Sequence, residues 1–332
     1  MMERETGGRI KTSESSFRKS ANVLLPFLIY FVVHDLAQVL LIFLVNMSIA
    51  AWGSTYGEMM EENRATVNGL LNALSLAIGM AAVWPMARRE LKWAKIWMRD
   101  SYLSGIHKLD RCKKPCGDGE AESNKERNNG KGNNKKSNDE KSNDRGEGCQ
   151  DWSIGKKVRE YALLIVIAVS VALGVNILFV LLGITGASES YQEVAKRQYG
   201  VAFGMGLLIY GVISPLAEEI VFRGLIYNRM RRYFGRWISV IACSAMFGIY
   251  HGNPVQGIYG CILGIAITWS YERYCSFLAP VLFHAAANGA VFTVGYDGIA
   301  KGNIVTPLNC AVLFGIAILG FAAAWRMKNK VF

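Results

Sequence analysis

Apolar residues in this chain come in long blocks rather than in alternation. From Ala162 to Ile184 there is no charged side chain at all. An α-helix rises about 1.5 Å per residue and the hydrocarbon layer of a bilayer is about 30 Å thick, so a run of about 20 such residues crosses it as a helix. Eight blocks of this kind can be drawn: Leu24–Ser48, Leu70–Ala87, Tyr161–Thr185, Ala202–Tyr227, Trp237–His251, Gly257–Tyr271, Leu278–Gly295 and Leu308–Trp325. A chain that is 52% apolar and so distributed is expected to be an all-α, polytopic membrane protein of about eight transmembrane helices. The first block is too long for the core of a cleavable leader and reads as a signal anchor.

The net charge of +11 would suggest nucleic acid in a soluble protein. Here it follows topology instead. Arg4, Arg9, Lys11, Arg18 and Lys19 precede the first block. Arg88, Arg89, Lys92, Lys95 and Arg99 follow the second. Arg229, Arg231, Arg232 and Arg236 follow the fourth, and Arg326, Lys328 and Lys330 follow the eighth. With eight spans all four groups fall on one side, which the positive-inside rule makes cytoplasmic, with both termini there. The opposite loop after the first span carries Glu58, Glu61 and Glu62 against Arg64. A multi-pass protein of the cell membrane, with the lipid bilayer as its partner and no nucleic acid, is the expectation.

Three sections follow from composition. Residues 1–109 form an N-terminal tail and a two-helix membrane unit. Residues 110–150 are rich in Asn, Lys, Gly, Ser, Glu and Asp and carry almost no aliphatic or aromatic side chain, so they read as a disordered cytoplasmic loop. Residues 151–332 form a six-helix core. The fifth to seventh spans are short and the fourth is interrupted by Pro215, which places a cavity in this core, since broken helices are tolerated where they face protein or water. Of the seven cysteines, Cys243, Cys261, Cys275 and Cys310 read as small buried hydrophobes, and Cys112, Cys116 and Cys149 have poor spacing for zinc.

Ionised side chains cost about 2.5–3.5 kcal/mol each at the centre of a membrane helix, so those present need a reason. Three groups stand out in the core. Glu218-Glu219-Ile220-Val221-Phe222-Arg223 puts Glu219 and Arg223 four apart, on one helix face, and leaves Glu218 with Phe222 at its own i+4 place. Phe247-Gly248-Ile249-Tyr250-His251 and His284-Ala285-Ala286-Ala287-Asn288 each set a histidine in an apolar helix, the second with an amide one turn on. These groups support either of two hydrolytic chemistries. A glutamate with one histidine can hold and deprotonate a water while the other histidine and the asparagine donate to an oxyanion. Alternatively Glu218, His251 and His284 can ligate Zn²⁺ with a position left for water. No Ser or Cys is marked by spacing as a covalent nucleophile; Ser214 and Ser244 are merely close in sequence. His34 and Asp35 also lie in mid-span, in the first block, and read as a structural pair.

Glu-Glu-x-x-x-Arg, then Phe-x-x-x-His, then His-x-x-x-Asn, in order on successive membrane helices, resembles the CPBP family of intramembrane proteases. That family includes type II CAAX prenyl endopeptidases and bacterial proteins linked to bacteriocin processing or self-immunity. The resemblance covers about residues 155–325. It implies an endopeptidase acting on a membrane-associated protein or peptide, by a zinc-dependent or a metal-free, glutamate-dependent route. By the same resemblance Glu218 and His251 would activate water, His284 and Asn288 would form the oxyanion site, Glu219 and Arg223 would fix the geometry, and Phe247 would pack beside the water. The cavity is expected to open to the cytoplasmic side, with Glu218 about one turn from that end. The rival readings are a non-catalytic immunity or binding protein on the same scaffold and a transporter, for which no inverted repeat is visible.

Overall fold

The structure, a computed structural model, describes residues 16–113, 154–296 and 304–329. Among them there are helices and turns and no strand. In chain order the helices are α1 (Ser16–Trp52), α2 (Ser54–Glu62), α3 (Arg64–Lys113), α4 (Ile154–Leu181), α5 (Glu189–Tyr199), α6 (Phe203–Tyr233), α7 (Arg236–Tyr250), α8 (Pro254–Tyr274), α9 (Leu278–Tyr296) and α10 (Pro307–Asn329). Every one of the eight apolar blocks falls mainly within one of these helices. Six of them, α1, α3, α4, α6, α9 and α10, are long and apolar enough to cross a membrane. The remaining two blocks became α7, which has 15 residues, and α8, which has 21. The chain is an all-α polytopic membrane protein, with six helices rather than eight meeting the full length and hydropathy requirement. The loop expected over 110–150 lies outside the described residues beyond Lys113.

Exposed Leu25, Leu28, Val32, Leu36, Val39 and Leu40 on α1 make no sense in water and suit lipid contact. α1 and α3 pack on one another, α4 on α9 and α10, and α7 on α8; α6 touches α1, α3, α7 and α9 and so lies centrally. His34 and Asp35 meet each other, Nδ1 to Oδ1 at 2.9 Å, and the His34 ring stacks on Tyr30. That is the structural pairing expected of them.

α6 is not broken at Pro215. Proline has no N–H to donate and its ring collides with the carbonyl four residues back, which ordinarily kinks a helix. Here the helix widens instead. Ile209–Ile213 is a π-helical turn, in which the Ser214 N–H reaches the carbonyl of Ile209, five residues back. A second π segment covers Phe222–Tyr227. Between them Ser214–Val221 is regular α-helix, with Pro215 at its start and Glu218 and Glu219 buried near its middle. Single wide turns of this kind occur often at functional sites.

α7 ends where its sequence says it should. His251 is its C-cap; Gly252 follows at φ +72°, the left-handed geometry that favours glycine. Asn253 then caps α8 by accepting from the Gln256 N–H at 2.9 Å, with Pro254 at the first turn. The two helices cross so closely that a Cβ at Gly248 would stand 2.4 Å from the carbonyl oxygen of Gly257. Only glycine allows that crossing, one turn before His251.

Candidate active site

The Glu-Glu-x-x-x-Arg segment forms the buried centre of α6. Glu219 and Arg223 are both fully buried and joined at 2.8 Å, Arg223 Nη1 donating to Glu219 Oε1, as their four-residue spacing predicts. The guanidinium is fixed from α8 as well: Nη2 donates to the Gly264 carbonyl at 2.9 Å and Nε to Thr268 Oγ1 at 3.4 Å. Its carbon lies 4.9 Å from the centre of the Phe247 ring. Two helices and an aromatic face thus hold one cation, which offsets the desolvation of both charges only because so many of its donors are used.

His284 of α9 joins this pair. Its Nδ1 lies 2.8 Å from Glu219 Oε1. An ionised carboxylate only accepts, so the proton sits on Nδ1 and the ring is oriented with Nε2 toward Glu218. Nε2 is 3.7 Å from Glu218 Oε2. Glu218 is 7% exposed. Its Oε1 accepts from Ser214 Oγ at 2.7 Å, whereas its Oε2 has no hydrogen-bond partner. The carboxylate is therefore held by one oxygen and offers the other.

Ser214 is the residue that sequence reading passed over. As a nucleophile nothing marks it, and nothing in the structure does so now. Its role is visible from spacing, because it lies four residues before Glu218, the same interval that links Glu219 to Arg223.

His251 and Asn288 occupy the neighbouring space. His251 Nδ1 is 2.8 Å from the Phe247 carbonyl oxygen, so Nδ1 carries the proton and Nε2 is left as an acceptor in the neutral ring. Asn288 Nδ2 reaches the Tyr210 carbonyl at 3.4 Å. Phe247 ties the halves together: its ring meets His251 and His284 edge to face, with centroids 4.9 and 5.4 Å apart. The six motif residues thus form two linked groups. Glu218, Glu219, Arg223 and His284 are in direct contact; His251 and Asn288 line an adjoining cavity of about 100 Å³. The imidazole beside Glu218 is that of His284, not that of His251. Among the described residues no three His, Cys, Asp or Glu side chains are gathered as ligands of one ion. The set Glu218, His251 and His284 therefore does not fit a zinc site in this arrangement.

Two expectations about depth are corrected. α6 continues to Tyr233, so Glu218 lies near its middle, about 15 Å of helix before Arg229 rather than one turn from the end. The cavity lies at the opposite end of the bundle from the arginines. It is bounded by Thr185, α5, His251 at the end of α7 and the start of α8. Arg231 and Arg236 instead meet Glu272 near the end of α8, and Arg229 and Arg232 meet Glu90 of α3. The physical reason is helix length: from Arg236 to His251, α7 rises about 22 Å.

Comparison with known proteins agrees with the motif order. Residues 200–290, which hold all three motifs, match the family model described as type II CAAX prenyl endopeptidase Rce1-like. The chain is 22% identical over 113 residues to the "Putative membrane peptidase YdiL" of Bacillus subtilis, covering 34% of this chain and 46% of that protein. It is 28% identical over 81 residues to the "UPF0177 protein YxdF" of Lactococcus lactis, covering 24% of this chain and 44% of that one. The chain spans less than half the length of these curated relatives. No solved structure matches. The resemblance carried by the three motifs therefore holds at family level over residues 200–290.

Proposed function

We propose that this protein is an intramembrane endopeptidase that hydrolyses a peptide bond in a membrane-associated protein or peptide, of the CAAX-processing or bacteriocin-processing kind, with Glu218 as general base. The observation that carries the reading is the asymmetry of the two adjacent carboxylates. Glu219 takes Arg223 and His284 on one oxygen and is immobilised, while Glu218 takes only the Ser214 hydroxyl and keeps Oε2 available.

In this reading a water held by Glu218 Oε2 and the acceptor Nε2 of His251 loses its proton to Glu218 as it attacks the substrate carbonyl. For His284 to donate from Nε2 toward the developing oxyanion, Nε2 must carry a proton besides the one that Nδ1 gives to Glu219, and the Asn288 amide adds a second donor. Glu219 and Arg223 orient His284 and keep the site rigid. Glu218 then passes its proton to the departing amine. No covalent intermediate is needed.

The test is comparative membrane proteomics of cells carrying the wild type, Glu218→Ala or His251→Ala. Peptide termini produced by the wild type are expected to vanish in both variants, with protein level and insertion unchanged. Unaltered termini in either variant would remove the assignment.

A further inference from the structure

The cavity beside the site has a lining of one chemical kind. Four side-chain amides face it, from Asn176, Gln198, Gln256 and Asn288. Three phenols, Tyr191, Tyr199 and Tyr259, and the rings of Phe179 and Phe292 supply the rest of its large side chains. Among the described residues no Asp, Glu, Lys or Arg contributes to the wall, and His251 is its one titratable ring other than the phenols. This is not for want of charges nearby. α5 turns Tyr191, Ala195, Gln198 and Tyr199 inward and leaves Glu193, Lys196 and Arg197 on its exposed face. Burial pushes the Tyr199 phenol up to about 12, so it remains a neutral donor. Amides and phenols can pair with peptide N–H and C=O groups, and the rings between them accept an apolar side chain. A charged side chain would lose its hydration there with no counter-charge to meet it.

Size narrows the occupant further. A space of about 100 Å³ holds about three waters at about 30 Å³ each, which admits the end of one side chain.

Position fixes the direction of entry. The walls come from the ends of α4 and α7, from α5, and from the start of α8. Ala65, at the start of α3, stands near Gly200 at that same end, next to α2 with Glu58, Glu61 and Glu62. The arginines joined to Glu90 and Glu272 are at the other end. Gln256 and Arg273, both on α8, are about 26 Å apart along its axis. The positive-inside rule puts the arginine end in the cytoplasm, and the cavity then faces the other compartment.

We propose that this cavity is the substrate subsite of the protease, that it takes an uncharged peptide segment with one apolar side chain, and that it is entered from the face of the membrane opposite the arginines. The inference rests on the protease reading for the word substrate, but binding and access can be read without turnover.

The experiment uses the full chain in the Glu218→Gln background, so that peptide is not consumed. Gln198→Cys is exposed in intact cells to a membrane-impermeant maleimide, with the protein lacking this added cysteine as reference. The expected result is labelling without permeabilisation. A capped, unprenylated peptide with Phe amid uncharged residues is expected to slow it at least fivefold, and the same peptide with Lys or Asp in place of Phe is not. Labelling only after permeabilisation would overturn the direction of entry, and equal protection by all three peptides would overturn the chemical class. A second variant, Gln256→Glu, puts a carboxylate into the wall and is expected to move the preference toward the Lys peptide by at least tenfold; an unmoved preference also counts against the subsite. Loss of the protease reading would show separately, as normal processing by Glu218→Gln with the labelling pattern intact.

Discussion

α6 meets buried glutamate beside arginine at its arginine end and again at its middle, in two different ways. At the arginine end Glu90 receives Arg229 on one oxygen and Arg232 on the other. Glu272 likewise receives Arg231 and Tyr227 on one oxygen and Arg236 on the other. Arg231 and Arg232 also lie over the rings of Trp97 and Trp93. In the middle of the helix, Glu218 and Glu219 each keep one oxygen without a hydrogen bond. A carboxylate held at both oxygens is a fastening. One held at a single oxygen, inside a bundle, retains the capacity to take a proton from something else. The contrast sets the fastenings Glu90 and Glu272 apart from Glu218; Glu219 stands between, its one bonded oxygen tied to both Arg223 and His284.

Glu218→Gln cuts deepest into that distinction. The amide keeps an oxygen for the Ser214 hydroxyl but cannot serve as a base, so turnover is expected to fall by about 10²–10⁴-fold with melting unchanged. Retained turnover would erase the difference between the end of the helix and its middle. Arg223→Met should act in the opposite sense, on folding. It strands Glu219 in the core and is expected to cost about 3–5 kcal/mol, read by thermal denaturation of the purified protein in detergent. Glu90→Gln is expected to cost about 1–3 kcal/mol in the same assay while leaving the rate per folded molecule as it was. A large change in that rate would show that the arginine end also serves the chemistry.

Much of this was legible in the chain. The apolar blocks located the helices, and the four-residue interval paired Glu219 with Arg223, whereas His284 and Asn288, also four apart, go to different groups, His284 with Glu219 and Asn288 with the cavity wall. What escaped was whatever depends on partners far along the sequence or on backbone adjustment. Gly264 and Thr268, which anchor Arg223, are 41 and 45 residues away from it. The pairing of Glu218 with His284 rather than His251 depends on how α9 lies against α6. Pro215 looked like a break because proline ordinarily kinks a helix, and the wide turn just before it has no composition of its own. The cavity was assigned to the wrong end because the arginines seemed close to Glu218 when α6 was taken to stop early.

Smaller effects refine the same comparison. Ser214→Ala removes the one bond that fixes Glu218 and is expected to lower turnover about tenfold, in line with about 1.5 kcal/mol for a hydrogen bond to a charged group. Ser214→Thr should restore most of it, a recovery that a packing role for the serine would not give. Dialysis against a chelator, followed by metal analysis of the protein, is expected to leave turnover unchanged, because among the described residues no three ligands converge. Loss of activity with release of a stoichiometric metal would mean that Glu218, His251 and His284 rearrange around an ion.

The widened turn at Ile209–Ile213 has a consequence for how this protein can vary. Such a turn accommodates about one residue more than an ordinary helical turn, and each residue of an α-helix advances the azimuth by about 100°. Deleting a single residue there would let the helix close into regular form with the segments on either side keeping nearly their facing, because the wide turn already absorbs the surplus residue. The same deletion within the regular turns of Ser214–Val221 would instead swing Glu218 or its bonding partners by about 100°. The turn that holds Tyr210, whose carbonyl receives the Asn288 amide, is thus where this helix can change length by one residue at the smallest cost to the facing of its carboxylates.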